Sequence, residues 1–101
     1  MNNVARGNGV DNVTTNHLCD VITTTEECSS KVYVEGTGVV REDDYNRLHT
    51  YPVGQSCVNH KVMLSSFSNK VFVESKGIGR KGDLYGTEEI STGSSKVYAG
   101  G

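Results

Sequence analysis

Three short segments of this chain follow one pattern: Ser29-Ser30-Lys31-Val32-Tyr33-Val34-Glu35-Gly36, Ser68-Asn69-Lys70-Val71-Phe72-Val73-Glu74-Ser75 and Ser94-Ser95-Lys96-Val97-Tyr98-Ala99-Gly100-Gly101. Each reads as a polar turn, then Lys-Val-aromatic-small apolar, then glycine or serine. Side chains alternate across a strand, so the valines face one way and the aromatic ring the other. On this reading Val32, Val34, Val71, Val73 and Val97 belong to the core, and the face carrying Tyr33, Phe72 and Tyr98 stays open. A second element follows the first two copies. Thr37-Gly38-Val39-Val40-Arg41-Glu42-Asp43 matches Lys76-Gly77-Ile78-Gly79-Arg80-Lys81-Gly82-Asp83, and Val4-Ala5-Arg6-Gly7-Asn8-Gly9 reads as a third copy displaced to the front. Joined in a circle, the chain holds three strand–turn–strand hairpins, with the break inside one of them.

The spacing is 39 residues from Lys31 to Lys70 and 26 from Lys70 to Lys96. A uniform solenoid needs a fixed period, so the unequal spacing argues against one. A closed object of approximate threefold symmetry with one long insertion, Asp44 to Val62, accounts for both intervals.

Composition agrees with an all-β chain. Fourteen valines, three isoleucines and nine threonines are β-branched, against two alanines and four leucines. That mix favours strands. The 101 residues predict a single domain, 1–101, and with no tryptophan and two phenylalanines its core is thin enough to need a metal, a partner or oligomerisation. A single helical turn is conceivable at Tyr45–His49, and Met63–Phe67 reads as a strand. The formal charge of −2 gives no broad attraction to nucleic acid or an anionic membrane. No apolar run approaches the roughly 20 residues of a spanning helix, and no signal-peptide h-region opens the chain.

The insertion carries Leu48-His49-Thr50-Tyr51-Pro52-Val53-Gly54-Gln55-Ser56-Cys57-Val58-Asn59-His60-Lys61, which places His49, Cys57 and His60 within twelve residues. Pro52 and Gly54 exclude a continuous helix there. Imidazole and thiolate suit a borderline-soft ion such as zinc, and a closed structural site takes four ligands. The remaining histidine, His17, completes a candidate set of His17, His49, Cys57 and His60. Cys19 is the second candidate for the sulfur, since in a strand-like segment it shares a face with His17. Cys28 reads as a small buried or turn residue. Three cysteines cannot all pair, so metal ligation or free thiols are expected over a disulfide framework.

The repeat Ser-x-Lys-Val-aromatic-Val-x-Gly followed by Gly-(Val/Ile)-x-Arg resembles the repeat unit of PAAR-repeat proteins. Val4-Ala5-Arg6-Gly7, Val39-Val40-Arg41 and Ile78-Gly79-Arg80-Lys81-Gly82-Asp83 are counterparts of the segment that names the family. His17 matches its histidine after the first Ala-Arg segment, His49-Thr50-Tyr51-Pro52 its His-Thr-x-Pro step, and His60 the histidine before the second repeat. The family's cysteine often follows the second histidine closely, where this chain has Tyr51. No proline precedes the repeated arginines.

The resemblance covers residues 3–101. It implies a small cone of three pseudo-threefold β-hairpins with long loops and one structural metal, zinc or else iron, near the apex. The implied role is a non-catalytic tip that caps the trimeric β-helical spike of a contractile injection machine, either a phage tail baseplate or a type VI secretion-like apparatus with a VgrG-like spike. That tip would touch the target envelope transiently and pierce it. The expected location is a virion tail tip or the tip of a bacterial injection apparatus. The little sequence outside the repeats favours a plain tip over one fused to an effector. Arg6, Arg41 and Arg80 are candidate partner-binding residues, or else solvated charges that limit edge aggregation. Two other classes compete, a stand-alone zinc-binding interaction module and a small zinc enzyme. Glu26, Glu27, Asp43 and Asp44 could supply a base, but no His-Glu-x-x-His spacing occurs, and four protein ligands would leave no open position, so no enzyme is expected.

Overall fold

In a computed structural model, which describes residues 2–101, the chain is all-β, with twelve short strands and no helix among the described residues. In chain order these are β1 (Asn2–Asn3), β2 (Asn12–Thr14), β3 (Ile22–Thr24), β4 (Tyr33–Val34), β5 (Thr37–Gly38) and β6 (His49–Val53). There follow β7 (Ser56–His60), β8 (Phe72–Val73), β9 (Lys76–Gly77), β10 (Leu84–Tyr85), β11 (Glu88–Ile90) and β12 (Tyr98–Ala99). The molecule measures 41 × 23 × 23 Å, long in one direction and equally thick in the other two. Among the described residues no helix is long and apolar enough to cross a membrane.

The three sequence copies form three antiparallel pairs. β4 pairs with β5 (Tyr33↔Gly38), β8 with β9 (Phe72↔Gly77), and β12 at the end of the chain with β1 at its start (Asn3↔Tyr98). The first two turns, Glu35-Gly36 and Glu74-Ser75, have positive φ at both central positions. Such turns match the right-handed twist of the flanking strands.

What joins the copies is a set of bonds that repeats around a circle. The Val40 amide donates to the Ala5 carbonyl (3.0 Å), Gly79 to Val40 (2.8 Å) and Ala5 to Gly79 (3.0 Å). Ser29, Ser68 and Ser94 are buried, and each Oγ accepts from the amides two and three residues on. Each hydroxyl then donates into the next copy: Ser29 to Glu74, Ser68 to the Gly100 carbonyl, and Ser94 to Glu35. The serine that opens each repeat therefore caps its own turn and locks its neighbour.

The core has two parts. Val34 and Val39, Val73 and Ile78, and Ala99 and Val4 form one cluster, two residues from each copy. Ala5, Val40, Val13, Leu64, Tyr85 and Ile90 form the other, which joins the hairpins to a four-stranded sheet of order β10-β11-β2-β3. The expected valine pattern holds only in part. Val34 and Val73 are buried, whereas Val32, Val71 and Val97 are about 40% exposed, with Tyr33, Phe72 and Tyr98 beside them more exposed still. The reason is the serine-capped turn, which leaves each strand two residues long and swings the first valine out of its period. Two other sequence expectations differ. Tyr45–His49 holds no helical turn, and Met63–Phe67 contributes a single bridge, Tyr45↔Met63, in place of a strand.

Glycine is required where the copies touch. A Cβ on Gly38 would lie 2.0 Å from the Ser29 carbonyl oxygen, and one on Gly77 2.3 Å from the Phe67 ring. In the third copy the roles exchange: Asn3 stands at the glycine position, and Gly93 takes the place of Cys28 and Phe67. Because the Ser29 oxygen is backbone, no rotamer change relieves the clash. Gly38→Ala is therefore expected to cost at least about 3 kcal/mol, the upper range of overpacking, read as a shift in the urea unfolding midpoint. A change under about 1 kcal/mol would show that the junction has slack.

Candidate metal centre

β6 and β7 form a two-stranded ribbon joined by Gly54-Gln55, with Gly54 at φ 60°, as a two-residue turn with glycine first requires. Pro52 is tolerated because a two-stranded ribbon consists of edges only. The register places His49 opposite His60, and their rings meet edge to face at 4.8 Å. His17 comes from the loop between β2 and β3 and stacks on His49, with ring centroids 5.4 Å apart. That loop is pinned to the ribbon by Asp20, whose carboxylate accepts from the Thr50 amide (2.8 Å) and hydroxyl (2.9 Å). These two bonds hold the Asp20 carboxyl below the usual carboxylate range.

The fourth member is Glu88, on β11. Its Oε2 lies 2.6 Å from His17 Nε2, 2.9 Å from His49 Nε2 and 2.9 Å from His60 Nε2. Its Oε1 accepts from Asn46 Nδ2 at 2.7 Å, and its side chain is 1% exposed. The four ligand atoms lie within 4.8 Å of one another.

The hydrogen bonds on the far side of two rings determine what this cluster can hold. His17 Nδ1 donates to the Leu18 carbonyl (2.8 Å), and His49 Nδ1 to the Arg47 carbonyl (2.7 Å). A carbonyl only accepts, so both Nδ1 atoms carry hydrogen, and in the neutral ring both Nε2 atoms are bare lone pairs. Two lone pairs aimed at one carboxylate oxygen repel unless a cation shares the site. A metal ion satisfies all of them, and backbone carbonyls holding Nδ1–H are the usual outer support of metal-binding histidines. The donor set of three imidazoles and one carboxylate fits zinc, and also iron(II) or cobalt(II).

His17, His49 and His60 thus meet as the sequence proposed. Cys57 does not join them: it forms a disulfide with Cys19, with Cα atoms 5.9 Å apart and 38 residues between the cysteines in sequence. This corrects the assignment of Cys57 as sulfur ligand and of Cys19 as its substitute, and the expectation of metal ligation or free thiols over a disulfide. In the ribbon Cys57 lies opposite Pro52, three residues from His60, and both cysteines are exposed. Cys28 is the free one, half-buried, its thiol pressed against Gly7 and Gly38 and its pKa raised chiefly by burial. Glu88 was missed, although a signal existed. On a strand, Glu88 and Glu89 must face opposite ways, and Glu88 shares its face with Ile90, whose side chain belongs in the core.

The other acidic candidates lie elsewhere. Glu26 pairs with Arg47, Glu27 accepts from the Tyr45 amide and Asp44 pairs with Arg41, while Asp43 has no place in the cluster. The three repeated arginines are bound within the chain. Arg6 grips Asp11 with two nitrogens and reaches Glu35, Arg41 does the same with Asp44 and Glu74, and Arg80 with Asp83 and the Gly100 carbonyl. Lys31, Lys70 and Lys96 remain exposed.

No protein-family model matches the chain, and a search of curated proteins finds no match.

Proposed function

We propose that this chain is a PAAR-like spike tip: a non-catalytic, metal-stabilised cap on the trimeric β-helical spike of a contractile injection machine. In this reading the long axis of the molecule is that of a cone, and the His17–His49–His60–Glu88 cluster lies toward its apex. The observation that carries the proposal is the cyclic set of bonds between the three hairpins. That cycle sets Val32-Tyr33, Val71-Phe72 and Val97-Tyr98 in three equivalent positions, all exposed and apolar. A single chain with three like faces can meet three identical subunits at once, which one asymmetric patch cannot do. Exposed aromatic residues are also the side chains that most often carry binding energy at interfaces.

A bound ion would supply rigidity. Held by three imidazoles and Glu88, it would tie the β2–β3 loop, the β6–β7 ribbon and β11 together where the chain has little apolar core. The donors are filled by protein side chains, which suits a structural site.

The test is binding to the trimeric spike protein encoded by the same genome, measured by calorimetry. One chain per trimer is expected. Replacing Tyr33, Phe72 and Tyr98 together by serine should weaken binding by roughly thirtyfold or more, as loss of at least one hot spot predicts. Metal content should not change. Failure of the native chain to bind any such trimer would leave the stand-alone metal-binding module as the better reading.

A further inference from the structure

We infer that the redox state of the Cys19–Cys57 pair sets the metal affinity of the neighbouring cluster. This rests on the reading of that cluster as a metal site. Three of the four ligands are positioned without the crosslink. His49 and His60 face each other across paired strands, and Glu88 is buried and held by Asn46. His17 is different. It sits on a loop whose remaining ties to the ribbon are the Asp20–Thr50 contacts, and Cys19, two residues on, adopts a left-handed φ of 73° that non-glycine residues rarely take unaided. The disulfide covalently holds that loop against the strand carrying His60. Opening it leaves His17 held by Thr15 Oγ1 on its own backbone, by Asn16 on the Thr87 carbonyl and by Asp20 on Thr50, and so loosens one ligand of a site that needs four.

Both cysteines are exposed, so a small thiol or disulfide can reach them. The step is thiol–disulfide exchange. Two cysteine thiols and one small-molecule disulfide give the Cys19–Cys57 bond and two small thiols. Two electrons pass from the cysteine sulfurs to the incoming disulfide, and both protons end on the released thiols. Linkage makes the effect reciprocal: whatever factor the crosslink adds to metal affinity, bound metal adds to the equilibrium for forming the crosslink. In a reducing compartment the site is weak and exchangeable, and on entering an oxidising one it closes.

The experiment titrates cobalt(II) into the full chain in three forms: oxidised, reduced with a phosphine, and as the double variant Cys19→Ala/Cys57→Ala. Removing a group that positions a metal ligand typically weakens binding by about ten- to a hundredfold. The reduced chain and the variant are both expected to fall in that range below the oxidised chain, with no sulfur-to-cobalt charge-transfer band in the oxidised form. Equal affinity in oxidised chain and variant overturns the inference. So does tighter binding on reduction with a sulfur band, because a liberated thiolate would then have become the ligand. Unfolding of both reduced forms that cobalt does not reverse also overturns it, making the crosslink a requirement of the fold. No cobalt binding by the oxidised chain would instead remove the metal reading on which the inference rests.

Discussion

With an ion bound by the His17–His49–His60–Glu88 cluster as proposed, chelation is expected to lower the unfolding midpoint by roughly 15–30 °C. An ion present at a thousand times its Kd stabilises the folded state by about 4 kcal/mol, and each kcal/mol moves the midpoint of a domain this size by about 4–8 °C. The effect is large because a small β core has little else in reserve. The two hydrophobic clusters contain valine, alanine, isoleucine, one leucine and one tyrosine among their fully buried members. Without an ion, two imidazole lone pairs face the Glu88 carboxylate, an arrangement that destabilises the cluster. His60→Ala gives the cleanest comparison, since His60 is the most exposed of the four ligands and removing it disturbs the core least. That variant should purify without stoichiometric metal and show no response to chelator. Protein purified without a histidine tag that contains no metal and melts unchanged in chelator would refute the site.

Arg80→Met should cost about 3–5 kcal/mol, the expected penalty for leaving a buried charge without its partner. Arg80 and Asp83 are both under a tenth exposed, and the guanidinium also donates to the Gly100 carbonyl that Ser68 reaches. The substitution therefore strands a buried carboxylate and loosens the junction between two copies. Lys70→Met, in the same hairpin but exposed, should change stability by less than about 0.5 kcal/mol. Urea unfolding of both variants decides the matter. If Arg80→Met kept its stability and lost only spike binding, the arginine would be a contact residue after all.

The three repeated hairpins were legible in the sequence because their pattern is local, whereas the four-stranded sheet β10-β11-β2-β3 was not. A Lys-Val-aromatic run is recognised within four residues without any distant partner, although the alternation it implies fails at Val32, Val71 and Val97. The three histidines were legible for a different reason: they are the only ones in the chain. Their convergence on one point depends on how the β2–β3 loop and the β6–β7 ribbon pack, which local pattern does not encode. The fourth ligand could not be read the same way, because Glu88 stands 71 residues from His17 and carries a side chain that twelve acidic positions could offer. Cysteine counting also misled, since an odd total does not prevent two from pairing once a ribbon and a loop are packed together.

By itself, then, the sequence determined that the chain would be built of short valine-rich hairpins in three related copies, since strand period and turn chemistry act over a few residues. Only the tertiary structure decided that Cys57 bonds to Cys19, that Glu88 completes the histidine cluster, and that the arginines face their own carboxylates. Those outcomes depend on which distant surfaces close the ring, and that follows from burial and backbone pairing summed over the whole chain.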